Sequence, residues 1–328
     1  MDEIEKRAKV EPNILIAVDG SRPALRAVDY ALSMTHLIPG LRFTLLYVLP
    51  QAPPYLELES RTDQAIRRKL TKLETGNREK ARKTLEMAKN RLLDSGLDPD
   101  RVDIRIRPRI SGLSKDIINE AEMGRFDALV VGRRGLTRAQ EMFTGSVSNQ
   151  LIQHAANVPL WIVDGGNVKP NILAAVDGSS ASLRAVDHVA FMLGGNPEAR
   201  VAFLHVNPKL QSYCAVDFDG HEHGWNATEH DLAEMELDFR RGQGACLDDF
   251  FKKAVAVLRQ AGFSQDRIVV EQRDVTMGVA RTIVKAAKEG GYGAIVLGRR
   301  GLGRSSFLGS VSDKVIRRAE DLAIWLVN

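Results

Sequence analysis

Short apolar runs rich in β-branched residues alternate along this chain with longer stretches whose apolar positions recur every three or four residues. In the first half the short runs are Ile14–Val18, Phe43–Val48, Val102–Ile106, Ala128–Val131 and Leu160–Val163. Between them lie helical patterns over Pro23–Thr35, Gly76–Ser95, Leu113–Met123 and Ser146–Ala156. The second half repeats the alternation. Its strands are Ile172–Val176, Val201–Val206, Ile268–Gln272, Ala294–Leu297 and Ala323–Val327, and its helices Leu183–Leu193, Gly244–Ala261, Met277–Lys288 and Ser310–Ala319. Strands separated by helices predict right-handed βαβ units and a parallel sheet. Runs that are apolar throughout predict strands covered on both faces. The expected class is α/β, with two tandem doubly wound five-stranded parallel-sheet domains over residues 1–166 and 167–328. In such sheets ligands bind beyond the carboxyl ends of the strands, where strand order reverses. Gly20-Ser21, Val48-Leu49 and 132–135 fall just past strand ends.

The loop residues repeat more faithfully than the core. Residues 12–21, from Pro12 through Val18-Asp19-Gly20-Ser21, return at 170–179 as Pro170 through Val176-Asp177-Gly178-Ser179. A Gly-Arg-Arg-Gly loop stands at 132–135 and again at 298–301, and a Gly-Ser-Val-Ser at 145–148 and 309–312. A repeat this long is a whole domain rather than a solenoid unit. The join, Asp164-Gly165-Gly166-Asn167-Val168-Lys169-Pro170, is short and glycine-rich.

Composition removes several function classes. The chain has 328 residues, 44% hydrophobic and 27% charged, with a formal net charge of +4. So mild a charge, without a recognisable motif, gives no case for nucleic acid. The basic residues of 61–92 alternate with glutamates and apolar positions, which reads most plainly as a solvated helix face. Cys214 and Cys246 are the two cysteines, too few for a disulfide framework and suited to a reducing compartment. The first residues, Met-Asp-Glu-Ile-Glu-Lys-Arg, lack the apolar core of a signal peptide, and no apolar run approaches a membrane span. The expectation is a cytoplasmic protein without membrane contact.

The repeated loops have the chemistry of an anion cradle. Gly132 and Gly135 let backbone approach a phosphate. Gly145-Ser146-Val147-Ser148 opens a helix, whose unpaired N–H groups and positive dipole end favour an anion. Ser146 and Ser148 add hydroxyl donors, and Arg133 and Arg134 are placed to add charge-assisted bonds. Asp19, at the tip of the first strand, suits a ribose hydroxyl or a metal ion near the phosphates. The plainer reading is that glycine and serine merely turn a strand into a helix. The pairing of this loop with Val-Asp-Gly-Ser in both halves weighs against that.

These residues resemble a tandem universal stress protein, one family domain in each half. The family's ATP-binding branch carries Gly, two residues, Gly, nine residues, Gly, then Ser or Thr, which the first half matches at Gly132, Gly135, Gly145 and Ser146. The resemblance implies a strand order 3-2-1-4-5 and phosphate contacts at those residues and Ser148. It further implies adenine or ribose contacts at Ala17, Val18, Asp19 and Val48, with Val131 beside the nucleotide and ATP as the ligand; Asp19 could hold Mg²⁺ beside it. The second half departs from the pattern: Gly298 and Gly301 are present, but seven residues rather than nine separate Gly301 from Gly309-Ser310. Asp177, Val206, Ser310 and Ser312 remain. A cradle shortened by two residues binds ATP in a tighter loop, takes a shorter nucleotide, or holds nothing. Single-domain relatives dimerise through their last strands, so Leu160–Val163 and Ala323–Val327 are expected to pair inside this chain as an internal pseudo-dimer, with a homodimer also open.

Neither Gly-x-x-x-x-Gly-Lys-Ser/Thr nor a Gly-x-Gly-x-x-Gly after a first strand is present, which excludes a P-loop NTPase and argues against a dinucleotide site. No placed base for hydrolysis stands out, so binding with slow or no turnover is expected. A separate cluster occupies 212–230. Asp217, Asp219, His221 and His223 fall at every second position, so an extended backbone points them one way. Asp219, His221 and His223 can make three sides of a zinc site, with Cys214, His230 or a residue of the first half available as a fourth ligand. The plainer reading is a solvated loop. Three readings follow: a cytoplasmic, nucleotide-dependent stress-response regulator acting on an unknown protein partner; a metal-assisted weak ATPase or hydrolase built on the 217–223 cluster or the second cradle; or a nucleotide-free scaffold of the same fold, against which the intact nine-residue spacing of the first half counts. Metal-dependent turnover separates the first two.

Overall fold

The computed structural model describes residues 11–133, 147–165, 169–207, 229–301 and 308–328. It divides into two compact units, Met1–Val168 with Glu320–Leu326, and Lys169–Ala319 with Val327–Asn328. In the first, β1 (Asn13–Ala17) leads through α1 (Arg22–Ser33) to β2 (Arg42–Val48), then α2 (Pro54–Glu59) and α3 (Gln64–Leu93) to β3 (Val102–Arg107). The chain continues through α4 (Leu113–Met123), β4 (Ala128–Gly132), α5 (Val147–His154) and β5 (Leu160–Val163). The second unit follows with β6 (Asn171–Ala175), α6 (Ser180–Leu193), β7 (Arg200–Asn207), α7 (Glu229–Gln260), β8 (Ile268–Asp274), α8 (Val279–Glu289), β9 (Ala294–Gly298) and α9 (Ser310–Arg318). The last strand is β10 (Ala323–Val327).

The strands of the first unit run β3-β2-β1-β4-β5, all parallel, with Ile14 opposite both Phe43 and Ala128 and Leu129 opposite Leu160. This is the expected order. Helix α1 packs beside α3 on one face and α4 beside α5 on the other, so the order reverses between β1 and β4. The core strands are apolar because both faces are covered: Ile14, Leu15, Ile16, Leu129 and Val130 are fully buried. In the second unit β8-β7-β6-β9 are likewise parallel, with Ile172 opposite Val201 and Ala294.

The first unit has one strand more than a five-stranded domain. Residues Ala323–Leu326 of β10 run antiparallel to β5, with Trp325 opposite Trp161 and Ile324 opposite Ile162. The pairing of these two segments was expected. Its effect is that the end of the chain completes the core of the first unit, covering the apolar edge that β5 would otherwise expose. Only the tail turns to the second unit, where the Val327 carbonyl accepts the Arg299 N–H at 2.6 Å.

Two helices begin earlier than the sequence pattern suggests. Helix α3 starts at Gln64 rather than near Gly76, and α7 at Glu229 rather than near Gly244. These first halves bury none of their described side chains, and the apolar positions of α3 there, Ile66, Leu70 and Leu73, lie among so many charges that they do not mark a core face. Helix-favouring Arg, Lys and Glu carry α3 instead, started by Asp63, whose carboxylate accepts the N–H groups of Ala65 and Ile66.

Candidate functional site

In the first unit the expected residues gather where strand order reverses. Val18 continues β1, its N–H bonded to the Leu46 carbonyl at 2.8 Å. Asp19 follows, exposed, with Oδ1 accepting the Ser21 N–H at 2.9 Å. Gly20 turns the chain at φ +81°, where a side chain would be strained, and Ser21 caps α1. Thr84 of α3 lies over this turn, its Cγ2 3.2 Å from where a Cβ on Gly20 would stand. Tyr47, one residue before Val48, is the other neighbour: burial raises its hydroxyl pKa, and the Asp19 carboxylate raises it further. Ala17, Val18, Val48, Val131 and Gly132 all lie at the carboxyl ends of β1, β2 and β4, and Val147 and Ser148 open α5. Arg134, Gly135, Gly145 and Ser146 lie outside the described residues.

Two of these residues have a structural duty of their own. A Cβ on Gly132 would stand 2.1 Å from the Pro23 carbonyl oxygen and 2.7 Å from Ala24 N. The glycine is required for the start of α1 to cross the end of β4, whatever else it does. Arg133 turns inward: it is buried, its N–H bonds the Val163 carbonyl at 2.7 Å, and its Nη1 pairs with Asp164 Oδ2 at 3.4 Å. Its twin Arg299 is buried too, with Nε donating to Asn328 Oδ1, and burial lowers its pKa to about 10. In each unit, then, the first arginine of Gly-Arg-Arg-Gly fastens the end of the strand before the loop to a residue just past the last strand.

The second unit builds the same corner differently. Asp177 Oδ1 accepts the Ser179 N–H at 3.0 Å and the Ser182 hydroxyl at 2.7 Å, and the Ser182 hydroxyl accepts the Asp177 N–H at 3.1 Å. Ala24 stands in the first unit where Ser182 stands here, so Asp19 has no such hydroxyl. Asp177 Oδ2 lies 2.3 Å from where a Cβ on Gly301 would be, which makes Gly301 the room that the carboxylate occupies. Across the shortened loop, the Gly309 N–H bonds the Arg299 carbonyl at 2.8 Å. Ser310 starts α9, and the Ser312 hydroxyl donates to the Gly298 carbonyl at 2.8 Å. Ser148 reaches the Gly132 carbonyl in the same way at 3.5 Å. A serine hydroxyl has one proton, so a phosphate at either place relies mainly on backbone N–H groups at the helix start.

Sequence reasoning passed over Tyr47 and its counterpart His205. The latter is buried beside Val206, with Nδ1 2.9 Å from the Val176 carbonyl; burial lowers its pKa, while that bond and the Asp177 carboxylate oppose the shift. The signal was available, since each precedes the valine of the repeated strand end. Asp219, His221 and His223, with Cys214, Asp217 and most of that loop, lie outside the described residues. Among the described residues no group of three or more His, Cys, Asp or Glu side chains is placed to hold a metal ion.

Two stretches of the chain, 12–164 and 170–321, match the model of the universal stress protein family. The chain therefore belongs to that family, with two family domains in tandem. Among solved structures it is similar to a universal stress protein from Archaeoglobus fulgidus, 18% identical over 97% of this chain and 98% of that one, with a TM-score of 0.60. A protein described as functionally unknown from Pseudomonas aeruginosa PAO1 is 14% identical over 97% and 92%, with a TM-score of 0.53. A putative universal stress protein from Pseudomonas aeruginosa UCBPP-PA14 gives 14%, 97%, 93% and 0.52 in the same order. At these identities the likeness speaks for the fold. No curated protein matches. No helix among the described residues is long and apolar enough to cross a membrane.

Proposed function

We propose that the chain is a cytoplasmic nucleotide-binding regulator that holds ATP, with Mg²⁺, in the first domain and turns it over slowly or not at all. The observation that carries the reading is the meeting of exposed Asp19 with the ends of β2 and β4 at the point of strand-order reversal. The sequence there keeps the full nine-residue spacing between Gly135 and Gly145-Ser146. Asp19 binds the ribose or the metal, Ala17, Val18, Val48 and Val131 flank the base and sugar, and Gly132, Gly135, Gly145, Ser146, Val147 and Ser148 surround the phosphates. Arg134 is the arginine of the pair left to meet phosphate, because Arg133 is engaged by Asp164.

The second domain, with Asp177, Val206, Gly298, Gly301, Gly309, Ser310 and Ser312, binds more weakly. Its aspartate is already engaged by Ser182, and its loop is two residues shorter. We take 1–166 and 167–328 as the domains, and two family copies in one chain fit an internal pseudo-dimer. The zinc reading of Asp219, His221 and His223 rests on sequence spacing alone; metal analysis of the purified protein tests it. The nucleotide reading is tested by denaturing the purified protein, identifying released nucleotide by mass spectrometry and counting moles per chain. About one per chain is expected. None, with none bound when ATP is added back, overturns the reading.

A further inference from the structure

Helices α3 and α7 are counterparts: Ala81, Ala88 and Leu92 of one occupy the places of Leu247, Ala254 and Leu258 of the other, and all six are buried. What precedes them differs from an ordinary packed helix. From Gln64 to Lys80, α3 buries no residue. At about 1.5 Å per residue that is an arm of roughly 25 Å. No described side chain of α7 before Leu247 is buried either.

The two arms carry opposite charge. Residues 64–83 hold eight Lys and Arg against two Glu, whereas 230–249 hold six Asp and Glu against two Arg. The inversion falls on matched positions: Arg68 answers to Glu234, Lys72 to Asp238 and Lys83 to Asp249. On α3, positions 69, 72, 80 and 83 share one side of the helix; on α7, positions 234 and 238 do. Arg68, Lys69, Lys72, Arg78 and Lys80 are exposed and make no ion pair among the described residues. Beside the basic stripe runs an apolar one of Ile66, Leu70 and Leu73, the last 38% exposed. An apolar seam flanked by one sign of charge is how a helix selects an oppositely charged helix.

We propose that the basic arm of α3 docks on the acidic arm of α7 from a second copy of this chain. Each copy carries one basic and one acidic arm, so two copies offer two complementary pairs of arms. Because exposed charges drive it, the association weakens as salt shortens their reach, from about 10 Å at 0.1 M to about 3 Å at 1 M.

The test is mass by light scattering on the full-length protein, with two charge-reversed variants, Arg68→Glu/Lys72→Glu and Glu234→Arg/Asp238→Lys. The wild type is expected near twice its 36.2 kDa at low salt and near 36.2 kDa at about 1 M salt. Each variant alone is expected to dimerise at least about tenfold more weakly. Mixed in equal amounts, the two variants restore matching charges at both contacts and recover the dimer. The substituted positions are exposed, so unchanged circular dichroism confirms folding. A wild type of single-chain mass at low salt overturns the proposal, as does a dimer insensitive to both variants. A mixture that stays dissociated overturns it too, since arms that pair within one chain gain nothing from mixing.

Discussion

Trp161 and Trp325 stack face to face, their ring centroids 4.2 Å apart and their planes within 4°. They come from the fifth and the last strand, and both are fully buried. Trp325 Nε1–H also donates to the Tyr30 hydroxyl at 3.0 Å, and Tyr30 meets the Trp161 ring edge-on at 85°. Three aromatic side chains spread over nearly the whole chain thus share one core.

Trp325→Ala is therefore expected to destabilise the first unit, although the residue belongs by sequence to the second. A buried tryptophan truncated to alanine costs about 3–5 kcal/mol. Denaturant unfolding followed by fluorescence checks this, and limited proteolysis should find early cuts within 11–133. An unfolding midpoint equal to wild type contradicts the shared core.

The alternation of strands and helices was legible from the sequence, because both faces of each sheet are covered and its strands are apolar throughout. So was the corner at Asp19 and Asp177, where the turn at Gly20 and Gly178 demands positive φ and therefore glycine. The starts of α3 and α7 lie earlier than the sequence pattern places them, since neither arm presents a core face; of α3's arm only the charge pattern of 61–92, read as a solvated helix face, was legible. Nor was the inward turn of Arg133. Its partner Asp164 is remote in sequence, and arginine beside a glycine loop reads first as a phosphate ligand.

Gly132 and Asp19 are expected to respond in different ways. Gly132→Ala pushes a Cβ against the Pro23 and Ala24 backbone, so it lowers stability by about 2–3 kcal/mol before any effect on ligand. Asp19→Ala leaves the fold near wild type, because Asp19 is exposed and its bond to the Ser21 N–H stays within its own turn. If the nucleotide reading holds, Asp19→Ala weakens ATP by about 10–100-fold, the worth of one charge-assisted hydrogen bond. Parallel calorimetric titration and thermal melts distinguish the two, and equal melting losses in both variants would contradict the assignment.

Acid should destabilise the protein in two windows. Burial lowers the His188 pKa from 6.5 to about 3. The unfolded chain protonates near pH 6.5 while the folded one stays neutral. The stability is thus complete above 6.5 and declines at up to about 1.4 kcal/mol per pH unit as the pH falls toward 3. His188→Gln should flatten that slope, read from denaturant midpoints at pH 7.5 and 5. A second window opens lower. Glu120 is held below its ordinary 4.5 chiefly by the hydrogen bond from Arg107, with Arg105 adding to it against a burial penalty. That contribution is present above 4.5 and lost as pH falls through the depressed folded value, and Glu120→Gln should remove it.

Ser182 is the side chain that most separates the second corner from the first. Its hydroxyl both accepts the Asp177 N–H and donates to Asp177 Oδ1, whereas the first unit has Ala24 at that place. Ser182→Ala is expected to cost about 1 kcal/mol in stability, the net worth of a typical hydrogen bond. The same change removes one of the two hydrogen bonds that Asp177 Oδ1 accepts, leaving the one from the Ser179 N–H, and so makes the carboxylate more available to a ligand. If the second domain takes nucleotide at all, its affinity should rise by about fivefold, the same 1 kcal/mol read as binding. Nucleotide per chain would then move from about one toward two at fixed ATP. A stability loss with no change in stoichiometry would mean that the shortened loop, not the engaged aspartate, limits the second site. Restoring two residues between Gly301 and Gly309 would then be the change that raises occupancy.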